Sequence, residues 1–235
     1  MSLTEDLVAA YRILAEFRII DAYGHVSVRS DRDPNRYLLA RSLAPELVTE
    51  SDIIEYDLDS NAIDAAGRAS VTERFIHGEA YRARPEVMAV VHNHSPTVVP
   101  FSVTGVPLRP VFHMAAFVGL GVPTFEIRDF EKGTDMLVRS ASLGKALAGV
   151  LGDKPAALMR GHGAVVVGES VARAVGRSIY LEQSAQMQLQ AMSIAGPGGT
   201  ITFLDDAEVV AGSRTQDYAR AWPMWRQNAL SKLGK

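Results

Sequence analysis

The stretch that most constrains this chain runs from Met88 to Ser95, where four apolar residues lead directly into His92, Asn93 and His94. A short, valine-rich run of this kind predicts a buried β-strand. Side chains two residues apart on a strand point to the same face, so His92 and His94 are expected to project together. Two imidazoles placed in this way supply half of a metal site, although histidines also occur at strand ends without a metal.

Composition narrows the class of protein. The chain has 235 residues, 47% of them hydrophobic, which is enough for one large core. It has no cysteine, so disulfides and thiolate nucleophiles are excluded and any metal must be held by nitrogen and oxygen. The net charge of -3 argues against a nucleic-acid partner. Because we find neither a signal peptide nor an apolar stretch of membrane-spanning length, we expect a cytoplasmic protein without a membrane partner.

The order of helical and strand patterns predicts one α/β domain over residues 1–235, with a C-terminal tail from about residue 205. Short strands around tight turns favour a mainly antiparallel sheet, and the helices between them favour three α/β/α layers. The sequence has neither a G-x-G-x-x-G nor a P-loop motif, so we expect no nucleotide or organic cofactor.

Start signals place the helices. Helices are predicted to begin at Thr4, at Ser70, at the Ser95–Pro96 pair, at about Thr134 and at Ser170. The second is expected to run to about Arg84, with Ser70 and Glu73 spaced as a capping box. The fourth is expected to end at Leu151 and the last at about Met192.

A third histidine, His162, lies in an unusual setting. Two apolar runs flank Arg160, Gly161, His162 and Gly163. Paired glycines allow a sharp turn and leave space around an imidazole. With His92 and His94, this residue predicts a three-histidine site that leaves one coordination position open for chemistry. Three neutral nitrogens suit one zinc, manganese, cobalt or iron ion per subunit.

Glu73 is the best candidate for a general acid/base, because it opens the helix that leads into the His92 strand. A partly desolvated carboxylate beside a cation can be tuned for proton transfer. The alternative for Glu73 is the capping box alone.

These motifs, taken together and in order, resemble the class II aldolase/adducin family from Gly24 to about Gln190. The resemblance implies an α/β/α fold around a mainly antiparallel sheet, and a homotetramer with sites at subunit interfaces. It implies that His92, His94 and His162 bind the metal and that Glu73 is the acid/base. The adducin branch lacks the metal histidines, so their presence here favours an enzyme.

Departures from the sugar-phosphate aldolases indicate the substrate. Their phosphate-binding turn, hydroxyl pair and asparagine appear here as Arg41–Ser42, Val71–Thr72 and His25. The planar fork of Arg41 matches a carboxylate, although a surface arginine is equally compatible with the sequence. Three segments resemble the family's metal-dependent decarboxylases of hydroxylated aromatic dicarboxylates: Arg41–Thr49, Glu73–Gly78 and Arg109–Ala115.

The implied reaction is decarboxylation of a hydroxylated aromatic or heteroaromatic carboxylate, through an enolate or carbanion stabilised by the metal. Arg41 is expected to hold a second carboxylate of this small-molecule substrate, with further candidates lining the pocket: His25, Ser42, Thr72 and His113. Tyr218 is a further substrate-binding candidate that could cover the site of a neighbouring subunit. A hydrogen-bonded core position is favoured for His113, and plain packing for Tyr218.

Two other functions remain open. The first is a retro-aldolase acting on a non-phosphorylated hydroxy acid or sugar-like substrate. The second is a catalytically silent interaction protein.

Overall fold

A central sheet organises the molecule. The computed structural model describes residues 2–231, and within them seven strands form one sheet in the order β3-β2-β1-β4-β7-β6-β5. All neighbouring strands are antiparallel except the parallel pair β5 and β6. The strands are β1 His25–Arg29, β2 Arg36–Ala40, β3 Ile53–Asp57, β4 Ala89–Asn93, β5 Thr124–Phe125, β6 Ala156–Met159 and β7 Gly163–Gly168.

Helices cover both faces of the sheet. They are α1 Leu3–Glu16, α2 Phe75–Ala83, α3 Val98–Thr104, α4 Ala141–Leu151, α5 Val171–Ala195, α6 Asp206–Thr215 and α7 Trp222–Leu230. Short 3-10 segments lie at Pro45–Leu47, Glu50–Asp52, His113–Leu120 and Ile127–Asp129.

Alternating side chains divide the core into two clusters, one on each face of the sheet. Along β4, Val91 packs with α1 and α5, whereas the preceding Val90 packs with α2 and α4. Along β7, Val166 lies on the α1 and α5 face and Val165 on the opposite face. This period of two produces the three α/β/α layers that the sequence predicted around a mainly antiparallel sheet.

The strand order brings the histidine-bearing segments together where the central strands end. β4 lies between β1 and β7 and is antiparallel to both, so its carboxyl end meets the amino ends of its two neighbours. In register, His92 of β4 faces His25 of β1 on one side and Val165 of β7 on the other.

The predicted capping box at Ser70 and Glu73 is wrong. Helix α2 begins only at Phe75, after a turn, and Arg74 occupies its N-cap position without a side-chain cap. The Ser70 hydroxyl instead accepts a hydrogen bond from Tyr56. Glu73 is therefore free of a capping role.

Other helix starts also differ from prediction. Ser2 caps α1 in place of Thr4, because its hydroxyl accepts from Glu5 in a true capping box. Helix α3 begins at Val98, after the Ser95–Pro96 pair, and the buried Glu182 carboxylate accepts from the Thr97 and Val98 amides. Helix α4 begins at residue 141 rather than 134, with Ser140 as its cap.

Beyond residue 205 the chain continues as two helices. Helix α6, which was not predicted from the sequence, begins with a capping box between Asp205 and Glu208. Helix α7 packs on α1, where Trp225 and Phe17 meet edge to face. Throughout residues 2–231, each helix is too short or too polar to cross a membrane.

Candidate metal centre

Three imidazoles from two separate parts of the chain converge at the ends of the central strands of the sheet. His92 lies on β4, His94 follows it directly, and His162 lies in the turn between β6 and β7. Their nearest ring nitrogens all lie within 4.8 Å of one another. The Nε2 atoms of His92 and His94 are 3.2 Å apart.

The two glycines beside His162 have separate structural roles. Gly161 adopts a φ of +63°, a left-handed conformation that a side chain disfavours. Gly163 packs so closely on β4 that a Cβ there would lie 2.0 Å from the Asn93 carbonyl oxygen. The turn therefore needs glycine at both positions to bring His162 against His94.

Each imidazole donates its Nδ1 hydrogen to an oxygen, which fixes its tautomer. The acceptors are the Ala164 carbonyl for His92 at 3.2 Å, Asp21 Oδ1 for His94 at 3.2 Å and the Met136 carbonyl for His162 at 3.0 Å. None of these oxygens has a hydrogen to give, so the nitrogen must supply it. All three Nε2 atoms are therefore left with a lone pair directed at the others.

The facing lone pairs make this cluster a candidate cation site. Two acceptor nitrogens at 3.2 Å repel each other unless a positive charge lies between them. Burial lowers the pKa of His92 well below its usual value and also lowers the pKa of His162, which disfavours a proton there. Neutral imidazoles with oriented Nδ1 atoms are the form in which histidine binds a transition metal, so the donor set fits a divalent ion.

Glu73 lies beside this cluster. Its Oε2 is 3.6 Å from Nε2 of both His92 and His162, and its Oε1 accepts from the Val138 amide at 2.8 Å. Burial raises its pKa to about 7, an effect that the Val138 hydrogen bond partly offsets. A carboxyl with a pKa near neutrality can both give and take a proton at physiological pH.

A cavity of about 550 Å³ opens over the cluster. It is lined by six of the residues singled out in the sequence beside Glu73: His25, Arg41, Ser42, Thr72, His94 and His162. His92 is fully buried behind them. Arg41 keeps its guanidinium in place by an ion pair between its Nε and Asp52 at 2.6 Å.

Two predicted substrate-binding residues lie outside the cavity of this chain. Tyr218 is buried against Tyr180 and Gly176 and donates to the Met114 carbonyl, so within one chain it has a packing role. His113 is exposed, which contradicts the core position favoured for it, and it does not line the cavity.

Several residues of the site were missed in the sequence. Asp21, Met136 and Val138 orient His94, His162 and Glu73 respectively, yet they lie in loops without a motif and two of them act through backbone atoms. His77 was also missed. It lies four residues after Glu73, so in the helix predicted from Ser70 the two would share one face.

Comparisons with known proteins identify the family. A model of the Class II Aldolase and Adducin N-terminal domain matches residues 5–189. The decarboxylase tropJ of Talaromyces stipitatus is 36% identical over 93% of this chain and 90% of its own length. The 3,4-dihydroxyphthalate decarboxylase of Arthrobacter keyseri is 31% identical over 87% of this chain and 84% of its own. An L-fuculose 1-phosphate aldolase structure from Glaciozyma antarctica has a TM-score of 0.79 at 27% identity, covering 97% of this chain and 88% of that one. The chain therefore belongs to the class II aldolase and adducin family.

Proposed function

We propose that this protein is a divalent-metal-dependent decarboxylase of a hydroxylated aromatic or heteroaromatic dicarboxylate. Its family and its decarboxylase relatives make it a carbon–carbon lyase. The observation that supports the finer proposal is the convergence of three Nε2 lone pairs beside a buried carboxyl, at the base of a cavity that also contains Arg41.

His92, His94 and His162 would hold the metal. When bound, a divalent ion would act as a Lewis acid that stabilises negative charge developing on the substrate. The three Nδ1 hydrogen bonds fix the direction of the imidazoles before the ion arrives.

Glu73 would supply the proton. When the ring-to-carboxylate bond breaks, CO2 leaves and the electron pair remains on the ring carbon. The protonated Glu73 carboxyl then delivers its proton to that carbon, and water restores the proton afterwards. Burial raises the pKa of Glu73 and so favours the protonated form that this step needs.

Arg41 would hold the carboxylate that stays on the ring. Among residues 2–231 its hydrogen-bond partner is Asp52, through Nε alone, so the two Nη groups remain for a substrate. A guanidinium fork pairs with a carboxylate through two parallel hydrogen bonds.

Incubation of the zinc- or manganese-loaded protein with 3,4-dihydroxyphthalate tests the proposal. We expect stoichiometric CO2 and a dihydroxybenzoate product. Metal-loaded protein that releases no CO2 from hydroxylated phthalates or pyridine dicarboxylates would refute the decarboxylase assignment.

A retro-aldolase is the second candidate, and the similarity to the L-fuculose 1-phosphate aldolase structure favours it. Its substrate would be a non-phosphorylated hydroxy acid or sugar-like compound, because Arg41 and His25 line the cavity. Aldehyde release without CO2 would identify this reaction. A silent interaction protein would be indicated by folded protein that takes up no zinc or manganese.

We further propose a single-domain cytoplasmic chain that assembles as a homotetramer with sites at subunit interfaces. Large apolar side chains on the surface of one chain support assembly, among them Tyr23, Leu47 and Ile194 at 78%, 63% and 87% exposure. Light scattering that gives the mass of a single chain would refute the tetramer.

A further inference from the structure

A chain of buried hydrogen bonds leads away from the cavity through side chains that the proposed reaction does not use. His25 Nδ1 is 2.6 Å from His77 Nε2, and His77 Nδ1 is 2.6 Å from the Ser27 hydroxyl. The Ser27 hydroxyl is 2.8 Å from the Tyr81 hydroxyl. All four side chains are at most 3% exposed, and His25 alone among them lines the cavity.

Counting the hydrogens fixes the direction in which these hydrogen bonds run. Burial raises the pKa of Tyr81 and lowers the pKa of His77 to about 3, so the phenol keeps its hydrogen and His77 has one ring hydrogen. If hydrogen bonds ran from His25 toward Tyr81, the phenol hydrogen would have no acceptor among residues 2–231. A buried donor without an acceptor is unfavourable.

The opposite direction uses every hydrogen. Tyr81 donates to Ser27, Ser27 donates to His77 Nδ1, and His77 Nε2 donates to His25 Nδ1. The Tyr81 oxygen in turn accepts a hydrogen bond from the backbone N–H of Val90. His25 must then carry its own hydrogen on Nε2, the reverse of the tautomer in His92, His94 and His162.

The hydrogen on His25 Nε2 is available to a ligand. One ring nitrogen of His25 lies within 4.8 Å of both a Glu73 oxygen and a His92 nitrogen. Since Nδ1 of His25 is taken by His77, Nε2 is the atom left for the cavity, and residues 2–231 offer it no hydrogen-bond acceptor. This part of the cavity therefore presents a fixed donor and favours a ligand with an acceptor oxygen.

We propose that Tyr81, Ser27 and His77 are positioning residues that hold His25 as an Nε2–H donor, and that this donor binds a carboxylate oxygen of the substrate. The substrate half of the proposal rests on the proposed function. These hydrogen bonds, which form a relay from Tyr81 through Ser27 and His77 to His25, explain why three polar side chains are buried behind the cavity, away from the proposed metal ligands. It also makes His25 a weak metal ligand, because its free nitrogen carries hydrogen rather than a lone pair.

The tautomer is measured first, by 15N NMR of zinc-loaded protein labelled on histidine. His25→Gln assigns the His25 signals. We expect a protonated Nε2 and an unprotonated Nδ1 for His25 in the wild type. The reverse pattern would overturn the relay, whatever reaction the protein catalyses.

Ser27→Ala is the variant that breaks the relay, and Ser178→Ala is its matched control. Ser178 is a fully buried serine on α5 whose hydroxyl donates to the Ala174 carbonyl. In Ser27→Ala we expect the His25 hydrogen to move at least partly to Nδ1, with one zinc per chain retained. We expect Ser178→Ala to keep the wild-type tautomer, and an unchanged tautomer in Ser27→Ala would contradict the proposal.

Calorimetric titration with phthalate tests whether His25 binds a carboxylate oxygen. Loss of a hydrogen bond to a charged oxygen should weaken phthalate binding by about tenfold or more in Ser27→Ala. If that variant does not fold, a second pair replaces it: His25→Gln keeps an N–H near the Nε2 position and should bind within about threefold of wild type, while His25→Leu should lose about tenfold or more.

Phthalate needs no turnover, so this result is separate from the decarboxylase assay. His25-dependent binding by a protein that releases no CO2 would support the donor and refute the reaction. Equal binding by His25→Gln and His25→Leu, or no binding by wild type, would overturn the substrate half.

Discussion

Glu73 and His162 are tied to each other through two backbone groups that lie only two residues apart. The Met136 carbonyl accepts from His162 Nδ1 at 3.0 Å, and the Val138 N–H donates to Glu73 Oε1 at 2.8 Å. One short segment before α4 therefore orients both a proposed metal ligand and the proposed acid/base. A change in this segment should affect metal affinity and proton transfer together.

Met136 is the position where this segment is most sensitive. Its φ of +76° is left-handed, a conformation that β-branched residues strongly disfavour. Met136→Val should lower the free energy of unfolding by about 1–2 kcal/mol and weaken zinc binding by about tenfold. Met136→Leu, which is unbranched at Cβ, is the control and should bind zinc like the wild type. Equal zinc affinities in the two variants, measured by competition with a chelator, would contradict the shared role.

The fold was largely predictable because its signals are local. Short apolar runs bounded by turn residues defined the strands, and Gly161 and Gly163 marked the turn at His162. Helix starts were less predictable, since a serine followed by a glutamate three residues later fits a capping box whether or not the chain uses it. Here tertiary contacts prevailed over the local pattern, because Ser70 accepts from Tyr56 and Glu73 accepts from Val138.

The proposed metal ligands were also predictable, but their supports were not. His92 and His94 share a strand end, and His162 has a distinctive glycine setting. Asp21 and the Met136 carbonyl lie far from these motifs in sequence, and no periodicity connects them. The packing of Tyr218 on Tyr180 could not be told from a substrate-binding role, because an aromatic residue near a C-terminus looks the same in sequence in both cases.

His94→Ala should abolish metal binding and turnover. Its removal leaves two nitrogens, too few for a stable divalent site. Because the His94 ring is partly exposed, its removal should not prevent folding. Elemental analysis should give one ion per chain for the wild type and about none for the variant. His113→Ala is the control for metal content, since that histidine is exposed and outside the cavity. Wild-type metal content in His94→Ala would refute the site.

Glu73→Gln should keep the metal and lose at least about 100-fold in kcat, because the amide cannot deliver a proton. The variant should fold, since Glu73 caps no helix and the new side-chain oxygen can still accept from Val138. Glu79→Gln, a buried glutamate on α2 outside the cavity, is the matched control. A kcat for Glu73→Gln close to that of Glu79→Gln would rule out Glu73 as the proton donor.

The raised pKa of Glu73 predicts a pH-dependent stability in chelator-treated protein. The folded carboxyl, with a pKa of about 7, binds its proton more tightly than the unfolded one at 4.5. Its contribution is therefore complete below pH 4.5 and is lost as the pH rises through 7, by at most about 3 kcal/mol. The lowered pKa values of His92 and His162 act in the opposite sense but are common to both proteins. Urea unfolding should show Glu73→Gln gaining on wild type across this window, and a constant difference would contradict the burial effect.

Arg41→Lys should raise KM for a dicarboxylate substrate by about tenfold while changing kcat little. Lysine keeps the charge but loses both the bidentate fork and the Nε that pairs with Asp52, so the interaction lost is one made equally in the ground and transition states. Arg36→Lys is the matched control, because Arg36 also pairs with carboxylates, Asp33 and Glu55, but lies outside the cavity. Steady-state kinetics with mono- and dicarboxylate substrates would separate the effects. A loss of the same size for a monocarboxylate would mean that Arg41 holds the leaving carboxylate rather than the one that stays on the ring.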